Sequence, residues 1–483
     1  MGFLPALRQT IIRGGATSGS ELIPLSSIVP IMNPTTTHHH KIVSVVFMAL
    51  AMSLHFFGYE FARSATLTLF TSSKTGFTSS ISLPLALACV CPASLTLLYV
   101  YTACLDKFGP SVALRYTSLL CVSILASFAA IVNSWSKLGL SKQTVKYLVG
   151  VLFVFREAYV QLLSTQYWSF IGSVLTKQEG ATWFAPIAGV SSLSSALAGY
   201  CLGPMVTRWG LSPLLLTSAL SILCSLFFAE RAYSMSTKHG FNPCDEHAKH
   251  KVDETMKRKK TKAPRKPLIT KASDLFSRVP TLKFLFLETL ACQGLSTVMN
   301  VAFISKIKQA FPVDKERATW MGKFYSAANL SSGFCQFGLM PRLMPLLEPR
   351  HVWVFMPTLM SLLNLFQWAN DNVSLYIVSS GFLLMKTMEY SLRGTVNEML
   401  YVPLDFESRY VGKEVIGMFG YRLGKSGTSI FLTILGTIVE CGVSELSMLS
   451  GGFALVWLYS AHRLAPFVPL RHKKERKEKG KEK

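Results

Sequence analysis

The sequence predicts an all-α integral membrane protein, with about twelve transmembrane helices in two six-helix bundles. Three observations carry that expectation. Of the 483 residues 50% are hydrophobic, and the mean hydropathy is +0.36, too apolar for a soluble chain of this size. Apolar runs of about 18 residues or more, long enough to cross hydrocarbon, recur along the chain. A strongly basic stretch falls midway between them. Backbone in lipid must satisfy its own hydrogen bonds, and these runs lack the strict alternation of a barrel strand, so helices follow.

Residues 1–41 read as a cytosolic tail or, alternatively, a weak transit peptide. They are Ser/Thr-rich, carry Arg8, Arg13 and one acid, Glu21, and lack the apolar core of a secretory signal. Ala6 stands where a myristoylation site needs Ser or Thr. The N-terminal bundle, 42–230, is expected to hold helices at 42–66, 80–104, 112–132, 146–174, 183–206 and 211–230. A basic cytosolic loop, 231–280, comes next. The C-terminal bundle, 281–463, is expected at 281–304, 319–341, 352–369, 374–400, 415–439 and 445–462, ahead of a basic tail, 464–483.

The formal net charge of +23 is unevenly placed: 13 Lys/Arg face five Asp/Glu over 231–280, and eight face three over 471–483. Between membrane spans this is a topology signal rather than a nucleic-acid surface, and it assigns both termini and the central loop to the cytoplasm. The tail is also suited to anionic lipid. Two expected outer loops are basic as well, through Lys137, Lys142 and Lys146 and through Lys306, Lys308, Lys315 and Arg317. The ten cysteines are scattered, mostly within apolar runs, and read as packed small residues rather than a disulfide framework or zinc site. No cofactor or metal is expected, and the chain is read as a monomer.

Ionisable residues inside membrane-length runs are costly unless they meet a partner, a cavity or a substrate, so they supply the candidate site. Tyr59 and Arg63 are four apart and share a helix face, beside Glu60. Arg63 either snorkels to the interface or faces a site. Arg156 and Glu157 lie mid-run in the fourth helix. Sequence neighbours point about 100° apart, so they need not pair with each other, and a carboxylate at that depth calls for a cation, a proton or a substrate. Asn300 either bonds a neighbouring helix or belongs to the site. Lys386, Glu389 and Arg393 share one face, as a self-satisfied ladder or as a cavity wall. Asn397, Glu398, Arg422 and Lys425 complete the set. They belong to the charged stretch Tyr390–Gly427, read as two pore-lining helices joined by a short loop at 403–413.

Within that stretch stand Glu398-Met399-x-Tyr401-x-Pro403-Leu404-Asp405-x-Glu407, Gly412-Lys413 and Arg422-x-Gly424-Lys425-Ser426-Gly427. Together they resemble the signature of the ATP/ADP translocases of plastids and intracellular bacteria. The resemblance implies twelve transmembrane helices and exchange of nucleotides by alternating access, and extends patchily from Ile42 to Leu435. Tyr59-x-x-x-Arg63 is similar to the family's first-helix pattern, Glu157 to a fourth-helix transport residue, and Trp168 and Pro186-x-x-Gly189 to segments beyond it. Three charged family positions are neutral here: Thr66 and Asn397 stand where the family has Lys, and Asn300 where it has Glu. A nucleotide carries roughly three to four negative charges, so its site should gather cations. Arg63, Arg156, Arg393, Arg422 and Lys425 are available to compensate. Each half also repeats a short basic loop, at Leu105–Gly109 with Arg115 and at Arg342 with Arg350. That suits two related bundles of the major-facilitator type, with the site between them.

Gly424-Lys425-Ser426 is not a phosphate-binding loop of an ATPase, because Phe419 stands at the required first glycine and no strand precedes it. No Ser/His/Asp, His/Glu or Cys/His set has usable spacing, which excludes an enzyme. Three functions remain: exchange of nucleotides or a related phosphorylated anion; carriage of a less charged solute, proton-coupled through Glu157 or Glu398; and a receptor or scaffold that keeps the fold without transport. The membrane itself is left open among plastid envelope, plasma membrane and an internal compartment.

Overall fold

The computed structural model describes residues 34–79, 81–135, 137–175, 177–241, 268–343, 348–370, 374–401, 404, 416–438 and 442–468, which are almost wholly helical. In the first half run α1 (Pro34–Thr71), α2 (Ser82–Ala88), α3 (Val90–Phe108), α4 (Pro110–Ser134), α5 (Lys142–Val174), α6 (Lys177–Trp209) and α7 (Ser212–Lys238). In the second run α8 (Leu268–Arg278), α9 (Pro280–Ala310), α10 (Asp314–Phe334), α11 (Met340–Leu343) and α12 (Pro349–Trp368). They are succeeded by α13 (Leu375–Met388), α14 (Gly394–Tyr401), α15 (Tyr421–Ile438) and α16 (Val443–Leu464). Wider π turns join α10 to α11 (Cys335–Leu339), join α13 to α14 (Glu389–Arg393), and lead into α15 (Ile416–Gly420).

Local chemistry sets several boundaries. Ser141 caps α5 by accepting the Thr144 backbone N–H at 3.1 Å, and Ser374 caps α13 through Ile377. These are the orphan amides that every helix start must satisfy. Pro110, Pro280 and Pro349 open their helices, where a missing N–H costs nothing. α2 and α3 form one apolar stretch with a break at Cys89, next to Pro92, whose ring cannot continue the ladder. Ser426 of α15 meets this break: its Oγ accepts from the Cys91 backbone N–H at 3.2 Å and donates to the Leu87 carbonyl at 3.1 Å.

Among the described residues, seven helices are long and apolar enough to cross a membrane: His39–Thr71, Ser82–Leu105, Pro110–Ser134, Lys142–Val174, Trp183–Trp209, Ser212–Lys238 and Pro280–Ala310. Large apolar side chains such as Leu197, Leu220, Leu362 and Ile434 are exposed on the outside, a surface suited to lipid and unsuited to water. The stretch read as the central loop is helical at both ends. α7 continues to Lys238, and α8 buries Leu275 while Phe276 packs on Phe286. The many Lys and Arg there outweigh a short apolar stripe when the stretch is read by composition. Apart from Leu404, the expected loop at 403–413 lies outside the described residues, as do most of both tails.

Two hydrophobic clusters organise the packing. One draws on residues 45–233 with Ala318. The other draws mainly on residues 275–468 and takes in part of α1, α2 and α5. The two halves meet where α6 crosses α10. A Cβ on Gly199 would sit 2.8 Å from the Gly322 carbonyl, and Ser326 Oγ donates to the Ala196 carbonyl at 2.7 Å. They meet again at the end of the molecule carrying Thr71 and Ala310. There Ser72 Oγ donates to Asp314 Oδ2 at 2.5 Å, and Lys308 Nζ donates to the Thr78 carbonyl at 2.6 Å. Asp314 is also paired with Arg317 at 2.5 Å. Two of the basic residues in the expected outer loop are therefore engaged in contacts that close this end.

Gly199→Leu should force α6 from α10 and lower stability by about 1–3 kcal/mol, the usual cost of overpacking. Gly172→Ala, where a Cβ would meet nothing within 4 Å, is the matched control. Thermal unfolding of both variants in detergent checks this, and equal melting temperatures would contradict the close-approach account.

Candidate functional site

Between the halves lies a cavity of about 120 Å³ whose walls come from α1, α5, α9, α10, α13 and α15. Seven of the eleven candidate residues line it: Tyr59, Arg63, Arg156, Glu157, Asn300, Lys386 and Lys425. Residues from both halves of the chain thus converge on one polar cavity, the arrangement that makes charge at membrane depth tolerable.

Glu157 is the centre of the densest charge. Its carboxylate pairs with Arg156 on its own helix and with Lys425 across the cavity on α15. Arg422 Nη1 donates to the Glu157 carbonyl at 3.2 Å. The adjacent pair Arg156–Glu157, which helical geometry alone leaves unpaired, forms because both side chains bend toward the cavity. Arg156 is 2% exposed, and it is held from the rear: Nε donates to Thr66 Oγ1 at 3.0 Å and Nη1 to the Tyr59 hydroxyl at 3.4 Å. Thr66, fully buried, is therefore a hydrogen-bond acceptor for a guanidinium, a role that an ammonium side chain cannot take.

Two further charge groups face the same space. Arg63 is buried, pairs with Glu60, and lays its guanidinium over the Tyr325 ring at 3.3 Å. Glu60 also accepts from Asn329 Nδ2 at 3.0 Å, so a second set of bonds spans the halves. Arg63 thus sits inside the protein rather than snorkelling at an interface. On the opposite wall Lys386 pairs with Glu389 at 2.7 Å and donates to Ser296 at 2.9 Å, while Gln293 donates to Glu389 at 2.8 Å. Asn300 lines the cavity between these groups.

Arg393 lies elsewhere. In a regular helix it would share the face of Lys386 and Glu389, but the π turn Glu389–Arg393 adds a residue to the turn and rotates the helix beyond it. Arg393, 1% exposed, turns into the second cluster and meets Glu288 through Nε at 3.2 Å and Nη2 at 2.8 Å. Thr289 at 3.0 Å and the Tyr421 hydroxyl also accept from it, and Trp457 Nε1 donates to Glu288 at 2.6 Å. This sealed network ties α9, α15 and α16 to the π turn. The three-residue ladder expected from spacing is instead one pair, Lys386–Glu389, and one separate site. Arg422 touches Glu157 from behind the cavity wall. Asn397, half-buried on α14, is not among the lining residues, and the side chain of Glu398 lies outside the described residues.

Sequence reasoning missed Glu288, Gln293, Ser296, Tyr325 and Asn329. Glu288 was findable, since it stands alone in the apolar run Phe284–Leu290 and meets the same criterion as Glu157. The neutral residues carry no such signal, because Ser, Gln and Asn are common in membrane helices.

Comparison with known proteins bears on this site. Residues 357–466 match the TLC ATP/ADP transporter family model. The chain is 24% identical over 356 residues to ADP,ATP carrier protein 1 of Chlamydia trachomatis, covering 65% of this chain and 64% of that protein. It is 23% identical over 487 residues to ADP,ATP carrier protein 1 of Chlamydia muridarum, covering 88% and 89%. In fold it is similar to the xylose transporter XylE from E. coli in a partially occluded inward open conformation. The TM-score is 0.60 at 10% identity, over 90% of this chain and 99% of that one. That likeness shows a major-facilitator-like fold and nothing of substrate. With these relatives and its long apolar helices, the chain is an integral, multi-pass membrane protein related to the ADP,ATP carriers.

Arg393→Ala should leave Glu288 buried without its cation, at a cost of about 3–5 kcal/mol. The double variant Glu288→Gln/Arg393→Met should recover most of that loss. Melting temperatures of the purified variants test it. A single variant no worse than the double would refute a sealed ion pair.

Proposed function

We propose that this chain, a relative of the ADP,ATP carrier proteins, is a transporter that exchanges nucleotides across a membrane by alternating access. On this reading residues 42–230 and 281–463 form two six-helix bundles, twelve spans in all, that rock about the cavity. The 231–280 segment, the 1–41 segment and the 464–483 tail lie on the cytoplasmic side. The observation that carries the reading is the surplus of cations at Glu157. Arg156 and Lys425 pair with one carboxylate that belongs to the protein itself, and Arg422 holds the backbone carbonyl of the same residue. Across the described site, Arg63, Arg156, Lys386, Arg422 and Lys425 stand against Glu60, Glu157 and Glu389. The excess positive charge is concentrated at one spot, between the halves, where a phosphate would be bound by charge-assisted hydrogen bonds.

Glu157 then acts as the stand-in for the missing anion. With no substrate, its carboxylate bond to Lys425 ties α5 to α15, and reorientation has to break it. An incoming phosphate takes over Lys425 and Arg156, frees the Glu157 carboxylate, and lets the halves part. The same logic yields exchange, because the empty carrier stays tied and only the loaded one crosses freely. At about 120 Å³ the cavity is smaller than ligand pockets of about 300–1,000 Å³, so loading requires that opening. Tyr59, Tyr325, Tyr390 and Phe382 supply aromatic surface along the walls for a base.

Proteoliposomes loaded with ADP and offered labelled ATP test the scheme. Lys425→Ala should lose both binding and exchange, by about tenfold or more, as expected when a charge-assisted contact worth about 1.5–3 kcal/mol is removed. Glu157→Gln should still bind but should admit nucleotide into vesicles that hold no counter-substrate. If the unaltered protein exchanges no nucleotide, the substrate assignment fails.

A second reading, carriage of a less charged solute, is favoured by one observation: Glu60, Glu157 and Glu389 already offset most of the cations. Thermal stabilisation by ATP and ADP against nucleosides separates the two readings. A ligand at about 100 times its dissociation constant adds about 2.7 kcal/mol. Stabilisation by nucleosides alone would select the second.

A further inference from the structure

A second cavity, of about 620 Å³, opens on the other face of α15, between α9, α15 and α16. Its volume falls within the range of ligand pockets, about 300–1,000 Å³. Its wall is mainly apolar, with Leu290 and Phe453 half-buried and Leu287 and Val456 exposed. Its rim is basic. Lys283 stands at the start of α9 and Arg463 at the end of α16, both exposed, with Arg463 over the Phe284 ring at 5.5 Å. Neither cation has an ion-pair partner among the described residues. Both sit at the end of the molecule opposite the Ser72–Asp314 contact, the end that the Lys/Arg excess assigns to the cytoplasm.

We propose that this cavity binds an anionic phospholipid of the cytoplasmic leaflet. The phosphate lies between Lys283 and Arg463, and an acyl chain lies along the apolar wall. Charge complementarity selects this occupant. A neutral apolar molecule leaves the paired cations unused, and a free phosphate leaves the apolar wall in contact with water. Basic pockets between transmembrane helices on the cytoplasmic side suit anionic headgroups on general grounds.

The position gives the lipid a means of influence. α15 is the partition between this cavity and the central one. Gly424 and Thr428 face the lipid side, and Lys425 faces the site. Gly424 seats α15 closely on α9, since a Cβ there would lie 2.9 Å from Gln293 Cβ and 3.0 Å from the Leu290 carbonyl. A chain lodged beside Gly424 therefore props the helix that holds Lys425 and Arg422. The inference rests on the membrane orientation and not on the identity of the carried solute.

The test uses the full chain in neutral detergent, titrated with phosphatidylglycerol, with phosphatidylcholine and with glycerol phosphate, and read by melting temperature and by native mass spectrometry. Phosphatidylglycerol should bind and stabilise. Lys283→Gln/Arg463→Gln, which keeps the side-chain stems at the rim, should weaken that binding roughly thirtyfold, from about 1 kcal/mol per basic residue. Val456→Trp, which crowds the apolar wall and leaves the two cations in place, should weaken it as well. Equal stabilisation by phosphatidylcholine would overturn the headgroup assignment, and equal stabilisation by glycerol phosphate the lipid assignment. Unchanged phosphatidylglycerol affinity in both variants would overturn the site. Mass-spectrometric detection of a dimer that dissociates in Val456→Trp would instead make this face a contact between copies, and would also overturn the proposal.

Discussion

An ionised side chain at membrane depth must find its counter-charge inside the protein, and that constraint shapes the whole of this molecule. It is met in two ways. Glu288 and Arg393 are sealed, each about 1% exposed or less, with the remaining polar capacity taken up by Thr289, Tyr421 and Trp457. Such a pair fixes the geometry of the helices that supply it, since parting it leaves a bare charge in a dry place. Glu157, Lys425 and Lys386 are met differently. They retain partial exposure, their partners come from other helices or from the rim of a cavity, and a small anion could replace the carboxylate. The first arrangement is closed to solvent and the second faces the cavity.

The register of the helices decides which residues fall into which class. Lys386, Glu389 and Arg393 have the spacing of one helical face, and a uniform helix would bring all three to the cavity. The π turn at Glu389–Arg393 sends Arg393 into the core and leaves Lys386 and Glu389 at the surface of the site. Another π turn, at Ile416–Gly420, immediately precedes Tyr421 and Arg422, which meet Arg393 and Glu157 respectively. Wider turns of this kind are less stable than regular helix and persist where a side chain must be re-aimed. Here they stand next to the residues whose direction separates structure from site.

This also explains what could and could not be read from the sequence. The membrane-length helices were legible, because apolar runs and basic flanks are local properties. Charges out of place in those runs were legible too, and most of those singled out do converge on one cavity. Their pairing was not. Arg156 and Glu157 are neighbours that a regular helix points apart, and their joint turn toward Lys425 depends on a helix 268 residues away in sequence. Arg393 was misplaced because the π turn leaves no mark in composition. Thr66, neutral where the related carriers are read to have Lys, becomes intelligible only once Arg156 is seen to donate to it. The Thr66 hydroxyl holds the Arg156 guanidinium in place.

The segment Gly424-Lys425-Ser426 shows how closely these roles are fused. Gly424 permits the approach of α15 to α9, Lys425 crosses the cavity to Glu157, and Ser426 satisfies the broken backbone between α2 and α3. Successive residues on a helix point in different directions, so three neighbours can address three different surroundings. Consequently α15 cannot shift relative to α9 or α2 without also shifting the cation that faces Glu157. The end carrying Thr71 and Ala310 is meanwhile held shut by Ser72–Asp314 and Lys308–Thr78, contacts that likewise join the first half to the second. Motion of one half against the other therefore has to break bonds at the centre and at this end together. The bond from Lys425 to Glu157 is the central one of these contacts between the halves.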